Sequence, residues 1–302
     1  MSSFVPSTKL ARERALDKST LPPKKIKIYY DEDAFVPLGK QKKGSWLVEH
    51  KEVGQTFPSY ERGSFNRIKG SKQNVIYICC LEEFPEDQPT RYPSMTILVE
   101  FLKKFYWGVE VKLFKDPTGY KTFPTRLNDG VEQYKAPDIL KYLKKVIPKD
   151  AYCIIAVTMV DLYPRDEWNF VFGFASLEER VGVFSFARYH PDFYGEDHSQ
   201  SPSDIERNIL RRSCKVASHE IGHMFGFKHC IYYKCAMNGS NHMEESDERP
   251  LELCPVELRK LQHCIGFDEK ERYQQLLTFF KNHPQMFSSE IQWFTERLEY
   301  IN

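Results

Sequence analysis

The stretch HEIGHMFGFKHC, residues 219–230, constrains this 302-residue chain more than any other part of it. His219 and His223 stand four residues apart, which on a helix puts both imidazoles on one face, one turn apart. Rings so placed can share a zinc ion, while Glu220 is rotated so that its carboxylate reaches a water on the metal instead of the metal. Zinc brings the pKa of such a water towards about 7, with the carboxylate accepting its proton. The chain must then turn back. Gly226 suits the left-handed residue that ends a helix, and His229, three residues on, can bring the third nitrogen from below. Three protein ligands leave one position open, the arrangement of a catalytic zinc and not a structural one. An ordinary helix with core histidines would account for the pentapeptide, but not also for Gly226, His229 and the Met237 that follows a short loop.

Composition narrows the setting. With 41% apolar and 28% charged residues, the chain belongs with soluble globular proteins and is long enough for a full core. Its formal charge of +1 gives no general field that would draw in nucleic acid or an acidic membrane. The longest apolar stretch, CIIAV at 153–157, is too short to span a bilayer. The first twenty residues lack the apolar segment of a secretory signal. Of eight cysteines, Cys230, Cys235, Cys254 and Cys264 crowd beside the histidines, so they read as metal ligands in a reducing compartment and not as disulfides. The expected location is the cytosol, with the nucleus left open by the basic PPKKIKI at 22–28.

The pattern of elements is that of a mixed α/β chain. Residues 1–27 are polar and proline-punctuated and are expected to be loosely packed, and 28–72 carry scattered aromatics among lysines and glycines. Strands are predicted at 74–81, 109–114 and 152–163, with helices at 94–108 and 136–148. NFVFGFAS and VGVFSFARY read as two paired strands joined by a turn, the first a candidate edge for an extended substrate. Ser203 with Glu206 makes a capping box for a long helix running to Gly226. Further helices are predicted at 255–262, 268–281 and 288–299.

The string HEIGHMFGFKHCIYYKCAM, with DLYPRDEWNFVFGFAS at 161–176 before it and GSNHMEESDERPLELCP at 239–255 after it, resembles the archaemetzincin family, its animal members in particular. The likeness covers about residues 74–267 and is strongest over 150–267. It implies an α/β (α+β) metzincin-type zincin fold: an upper subdomain with a twisted mixed sheet, a backing helix and the active-site helix, then a smaller, irregular and helical lower one. On this sequence the division is an N-terminal extension at 1–73, partly disordered, the upper subdomain at 74–226, and the lower at 227–302 with the Met-turn, the cysteine cluster and the C-terminal helices. The resemblance implies His219, His223 and His229 as zinc ligands, Glu220 as general base and Met237 as the apolar floor beneath the metal. It also implies a second, structural zinc on four cysteines. Cys230, Cys235 and Cys254 match that pattern, but Glu257 stands where the fourth belongs. Zinc accepts carboxylate oxygen, so Glu257 or a water is open as fourth ligand, and a set of buried thiols without metal is the alternative. If 255–264 is helical, Cys264 and His263 lie too far along it, roughly 10 Å past Glu257 for the former.

The expected function is that of a zinc-dependent peptidase, in family terms aminopeptidase-like, acting as a monomer on peptide or protein substrates. A deformylase-like hydrolase would need neither Gly226, His229 nor Met237. A zinc-stabilised interaction protein with little turnover would have no use for Glu220.

Overall fold

In the computed structural model, which describes residues 4–63, 68, 72–116, 119–195 and 200–302, the β-branched runs form strands at the centre of a mixed sheet. The strands are β1 (Val75–Cys80), β2 (Glu110–Phe114), β3 (Thr125–Asn128), β4 (Val131–Lys135), β5 (Ala151–Thr158), β6 (Asp161–Tyr163), β7 (Gly173–Ser176) and β8 (Val181–Ser185). The helices are α1 (Lys9–Leu16), α2 (Ile26–Tyr29), α3 (Trp46–Glu49), α4 (Phe57–Glu61), α5 (Met95–Phe105), α6 (Ala136–Val146), α7 (Pro202–Met224), α8 (Met243–Glu248), α9 (Pro255–Ile265), α10 (Glu269–Asn282) and α11 (Ser288–Ile301).

Five strands lie in the order β2-β1-β5-β8-β7 and three in the order β3-β4-β6. β1 pairs in parallel with β2 and β5, and β5 in parallel with β8, while β7 closes one edge antiparallel to β8. A strand with parallel neighbours and both faces covered should be apolar throughout, and all eight residues of β5 are buried. Ile139, Leu140 and Leu143 of α6 pack with Cys79, Ile154, Ala156, Val181 and Val183 in one cluster. The architecture is mixed α/β with two mixed sheets.

Three sequence expectations are corrected and one hairpin is added. The single strand expected over 152–163 divides into β5 and β6, because the Glu82 carboxylate accepts from the Met159 amide and from Thr158 Oγ1 and turns the chain there. The β3–β4 hairpin was not anticipated. Ser201, not Ser203, opens α7: its Oγ accepts from the Asp204 amide at 3.2 Å and Pro202 takes the first helical position. Residues 9–16, expected to be loose, form α1, capped by Thr8, with Ala15 and Leu16 buried.

Contacts gather the chain into two compact units, 1–69 with 218–302, and 70–217. The second holds both sheets. In the first, aromatics of the N-terminal segment fill a core with α9, α10 and α11: Tyr29, Phe35, Phe57 and Tyr60 are buried. Polar groups tie the same surfaces together. Tyr29 Oη and Lys25 Nζ donate to Glu269, Arg259 donates to the carbonyls of Leu16 and Asp17, and Arg297 pairs with Asp31. The expectation of partial disorder over 1–73 also touches residues 1–3, 64–67 and 69–71, which lie outside the described residues. No described helix is long and apolar enough to cross a membrane.

Candidate metal centre

The last turns of α7 carry His219, Glu220 and His223, and the helix ends as the motif requires, with Gly226 at a φ of +82°. The reversal brings His229 back towards the helix, and the three rings lie with centroids 4.7, 5.2 and 5.1 Å apart. One nitrogen from each falls within 4.8 Å of the others. His219 and His223 approach through their Nε2 atoms, at 3.1 Å. Two nitrogens on one tetrahedral zinc are expected about 3.3 Å apart, so the donor set fits the ion.

Each ring is oriented by what its other nitrogen does. His219 Nδ1 donates to the Ala236 carbonyl at 2.8 Å, and His223 Nδ1 to the Phe227 carbonyl at 2.7 Å. His229 Nδ1 meets the Glu52 carboxylate at 2.7 Å. That leaves the Nε2 side of all three free for a metal, with the tautomer set by the partner at Nδ1. Burial holds His223 below the ordinary imidazole pKa. Burial, with the Arg249 guanidinium and the two other rings close by, holds His219 well below it. Arg249 Nη1 lies 3.1 Å from His219 Nδ1 and donates to the Asn238 carbonyl. Both shifts favour the neutral ring, the state in which imidazole binds metal. Glu220 is half-buried, and among the described residues its carboxylate accepts no hydrogen bond.

Beneath the helix, Met237 is 1% exposed and its Sδ would lie 2.5 Å from a Cβ placed on Gly222. Gly239 faces the Trp46 ring, and a Cβ there would come within 2.5 Å of it. His242 caps α8 and pairs with Glu244.

Cys230, Cys235 and Cys254 gather into a second group, their sulfurs within 4.8 Å of one another and all buried. Cys230 and Cys254 Sγ are 3.5 Å apart, and the Cys254 amide donates to Cys235 Sγ. Burial opposes ionisation of Cys230, but hydrogen bonds from the other two thiols and from the Tyr232 and Tyr233 backbone outweigh it and hold its pKa well below the usual thiol value. Burial pushes Cys235 and Cys254 well above theirs. The three sulfurs form one buried group. Glu257 does not join it. Its carboxylate is held by Lys260 Nζ at 2.9 and 3.0 Å, both groups essentially unexposed. Burial pushes Glu257 up to about 7, although the Lys260 ammonium pulls the other way. Cys264 is buried in α9, and the His263 ring packs against Phe57. The strand cysteines stand apart: burial pushes Cys79, Cys80 and Cys153 up to about 12.

Several partners of the site come from the N-terminal segment and carry no motif. Glu52 holds His229. Gln55 donates to the Gly226 carbonyl and accepts from the Lys228 amide and Lys260 Nζ. Tyr60 Oη donates to the Phe225 carbonyl at 2.7 Å. Residues 36–38 pair with 232–234 through a short antiparallel bridge and the bonds Leu38 N to Tyr232 O and Lys234 N to Val36 O. The one signal available in sequence was the density of aromatics over 28–72, most of which are buried or half-buried.

Comparison with known proteins places these features in a family. The profile of peptidase family M54 matches residues 127–263. Archaemetzincin-2 of Macaca fascicularis is 40% identical over 267 residues, covering 81% of this chain and 74% of that protein. Archaemetzincin-2 of Homo sapiens is 38% identical over the same shares. Among solved structures, archaemetzincin from Methanopyrus kandleri superposes with a TM-score of 0.46 at 25% identity, covering 66% of this chain and 98% of that one.

Proposed function

This chain belongs to the archaemetzincins, peptidase family M54, and from that premise we propose that it works as a zinc metallopeptidase through His219, His223 and His229 as ligands and Glu220 as general base. Zinc held there supplies Lewis acidity, acidifying water and polarising the peptide carbonyl. The side chains do the rest. Glu220, beside His219 on α7 and free of competing hydrogen bonds among the described residues, takes the proton from the attacking water and passes it to the leaving amine. Gly226 and the loop after it hold His229 opposite the helix. Met237 is the floor that fixes the height of α7 above that loop.

The observation that carries this reading is the commitment of all three Nδ1 atoms to fixed acceptors, which turns the three Nε2 atoms towards one point. The same reading keeps a second zinc on Cys230, Cys235 and Cys254. It also keeps the divisions after residues 73 and 226, and a monomer acting on peptides and not on nucleic acid. Eight free cysteines suit the cytosol, with the nucleus open. The aminopeptidase-like form rests on family resemblance.

A peptide-library digest with and without chelator tests the activity and its direction together. Products shortened from the N-terminus support the aminopeptidase form, and internal cuts replace it with an endopeptidase. The Glu220→Ala variant should keep its catalytic-site zinc and lose turnover by about 10²–10⁴-fold. Unchanged hydrolysis by that variant would remove Glu220 from the mechanism. Absence of any product at full zinc loading would favour the rival, a zinc-stabilised interaction protein, to which the Glu257–Lys260 pair at the fourth thiol position lends some weight.

A further inference from the structure

Two of the three histidines are oriented by backbone carbonyls, which no substitution removes. The third is oriented by a side chain 177 residues upstream: Glu52 Oε1 meets His229 Nδ1 at 2.7 Å. Glu52 is itself held. Trp46 Nε1 donates to the same oxygen at 2.8 Å, and the Trp46 amide is fixed by both Glu245 oxygens at 3.0 and 3.1 Å. The Trp46 ring stands edge-on to His229 at 5.0 Å and against His50 at 4.0 Å, in space left by Gly239. Just downstream, a Cβ on Gly54 would come within 2.6 Å of the Ile231 and Tyr232 side chains and force them to shift, and Gln55 grips both sides of the Gly226 turn.

We propose that Glu52 is a positioning residue for the catalytic metal: its carboxylate fixes His229 as the Nδ1–H tautomer, turns Nε2 to the ion and makes that nitrogen a stronger donor. The segment from Trp46 to Tyr60 is thereby part of the metal centre and not a covering over it. A carboxylate behind a ligating imidazole typically changes metal affinity 10–100-fold. The proposal rests on the reading of His219, His223 and His229 as ligands, and its test separates the two.

The 302-residue chain, made metal-free, is titrated with zinc against a chromophoric chelator as wild type, Glu52→Gln, Glu52→Ala, Glu52→Asp and His229→Ala. ¹⁵N-histidine NMR of each apoprotein reports the His229 tautomer, and its thermal melt reports folding. Glu52→Ala should weaken zinc 10–100-fold and leave His229 a mixture of tautomers. Glu52→Gln, which keeps an acceptor without the charge, should hold the tautomer and lose part of the affinity. Glu52→Asp should recover more affinity than Ala. Folded Glu52→Ala with wild-type affinity, or with weakened affinity and an unchanged tautomer, overturns the role of Glu52 while His229→Ala still loses zinc. Should His229→Ala bind zinc as the wild type does, the ligand set itself is wrong.

Discussion

Gly222 sits between His219 and His223 on α7, and a side chain there would meet Met237: a Cβ would stand 2.5 Å from its Sδ and 3.0 Å from its Cε, so the methionine would have to shift. Gly222→Ala therefore forces a buried methionine aside, an overpacking expected to cost about 1–3 kcal/mol. Met237→Ala removes the floor and should cost about 2–5 kcal/mol. Because the two changes act on one volume, the double variant should lose clearly less than the sum, by chemical denaturation of the zinc-loaded protein. Simple additivity would show that the contact does not set the height of the helix. At this scale the sequence was legible where chemistry follows spacing along one helix and its return loop, as for His219, Glu220, His223 and His229. Glu52 was not legible, since a carboxylate meeting a ring 177 residues away leaves no periodicity to read. Glu257 was legible only as a mismatch, and that Lys260 would hold it depended on the burial of both.

Elements were readable where burial imposed a pattern. β1, β5 and α6 were visible from apolar runs and helical spacing. β3 and β4 were missed because their residues are mostly exposed or half-buried, so no alternation marks them; only Asp129-Gly130, both at positive φ, signalled the turn. The break between β5 and β6 hinges on Glu82, a carboxylate just past β1 that caps the end of β5 through Thr158 and Met159. Burial raises its pKa, although the Met159 and Thr158 hydrogen bonds oppose the rise. A carboxyl whose folded pKa lies above its unfolded one contributes its full stability at low pH and loses it as pH climbs through the folded value. Glu82→Gln keeps the accepting oxygen without the charge. Its melting temperature should match that of the wild type near pH 4 and exceed it by a few degrees near pH 7. A difference that stays constant across that range would show that Glu82 ionises in the folded protein as freely as in the unfolded one.

For the molecule as a whole, the unit that holds the metal groups is assembled from both ends of the chain, 1–69 with 218–302, so its stability and its metal binding are coupled. The thiol group shows how. In the wild type, Lys260 is buried against Glu257 and Gln55, and its ammonium holds the Glu257 carboxylate. Glu257→Cys supplies a fourth thiol but leaves Lys260 without its carboxylate, and breaking such a buried pair costs about 3–5 kcal/mol. The metal-free variant should thus melt below the metal-free wild type. Zinc reverses the order. Four thiolates close a structural site, an ion at about one hundred times its dissociation constant adds roughly 2.7 kcal/mol, and a tighter site adds more. Elemental analysis should then find zinc rising towards two per chain in Glu257→Cys, with a steeper rise in melting temperature along a zinc titration than the wild type shows. A variant that melts below the wild type at every zinc concentration and holds no additional zinc would mean that the three native thiols are core packing, and that the Glu257–Lys260 pair has replaced the second metal and does not merely crowd it.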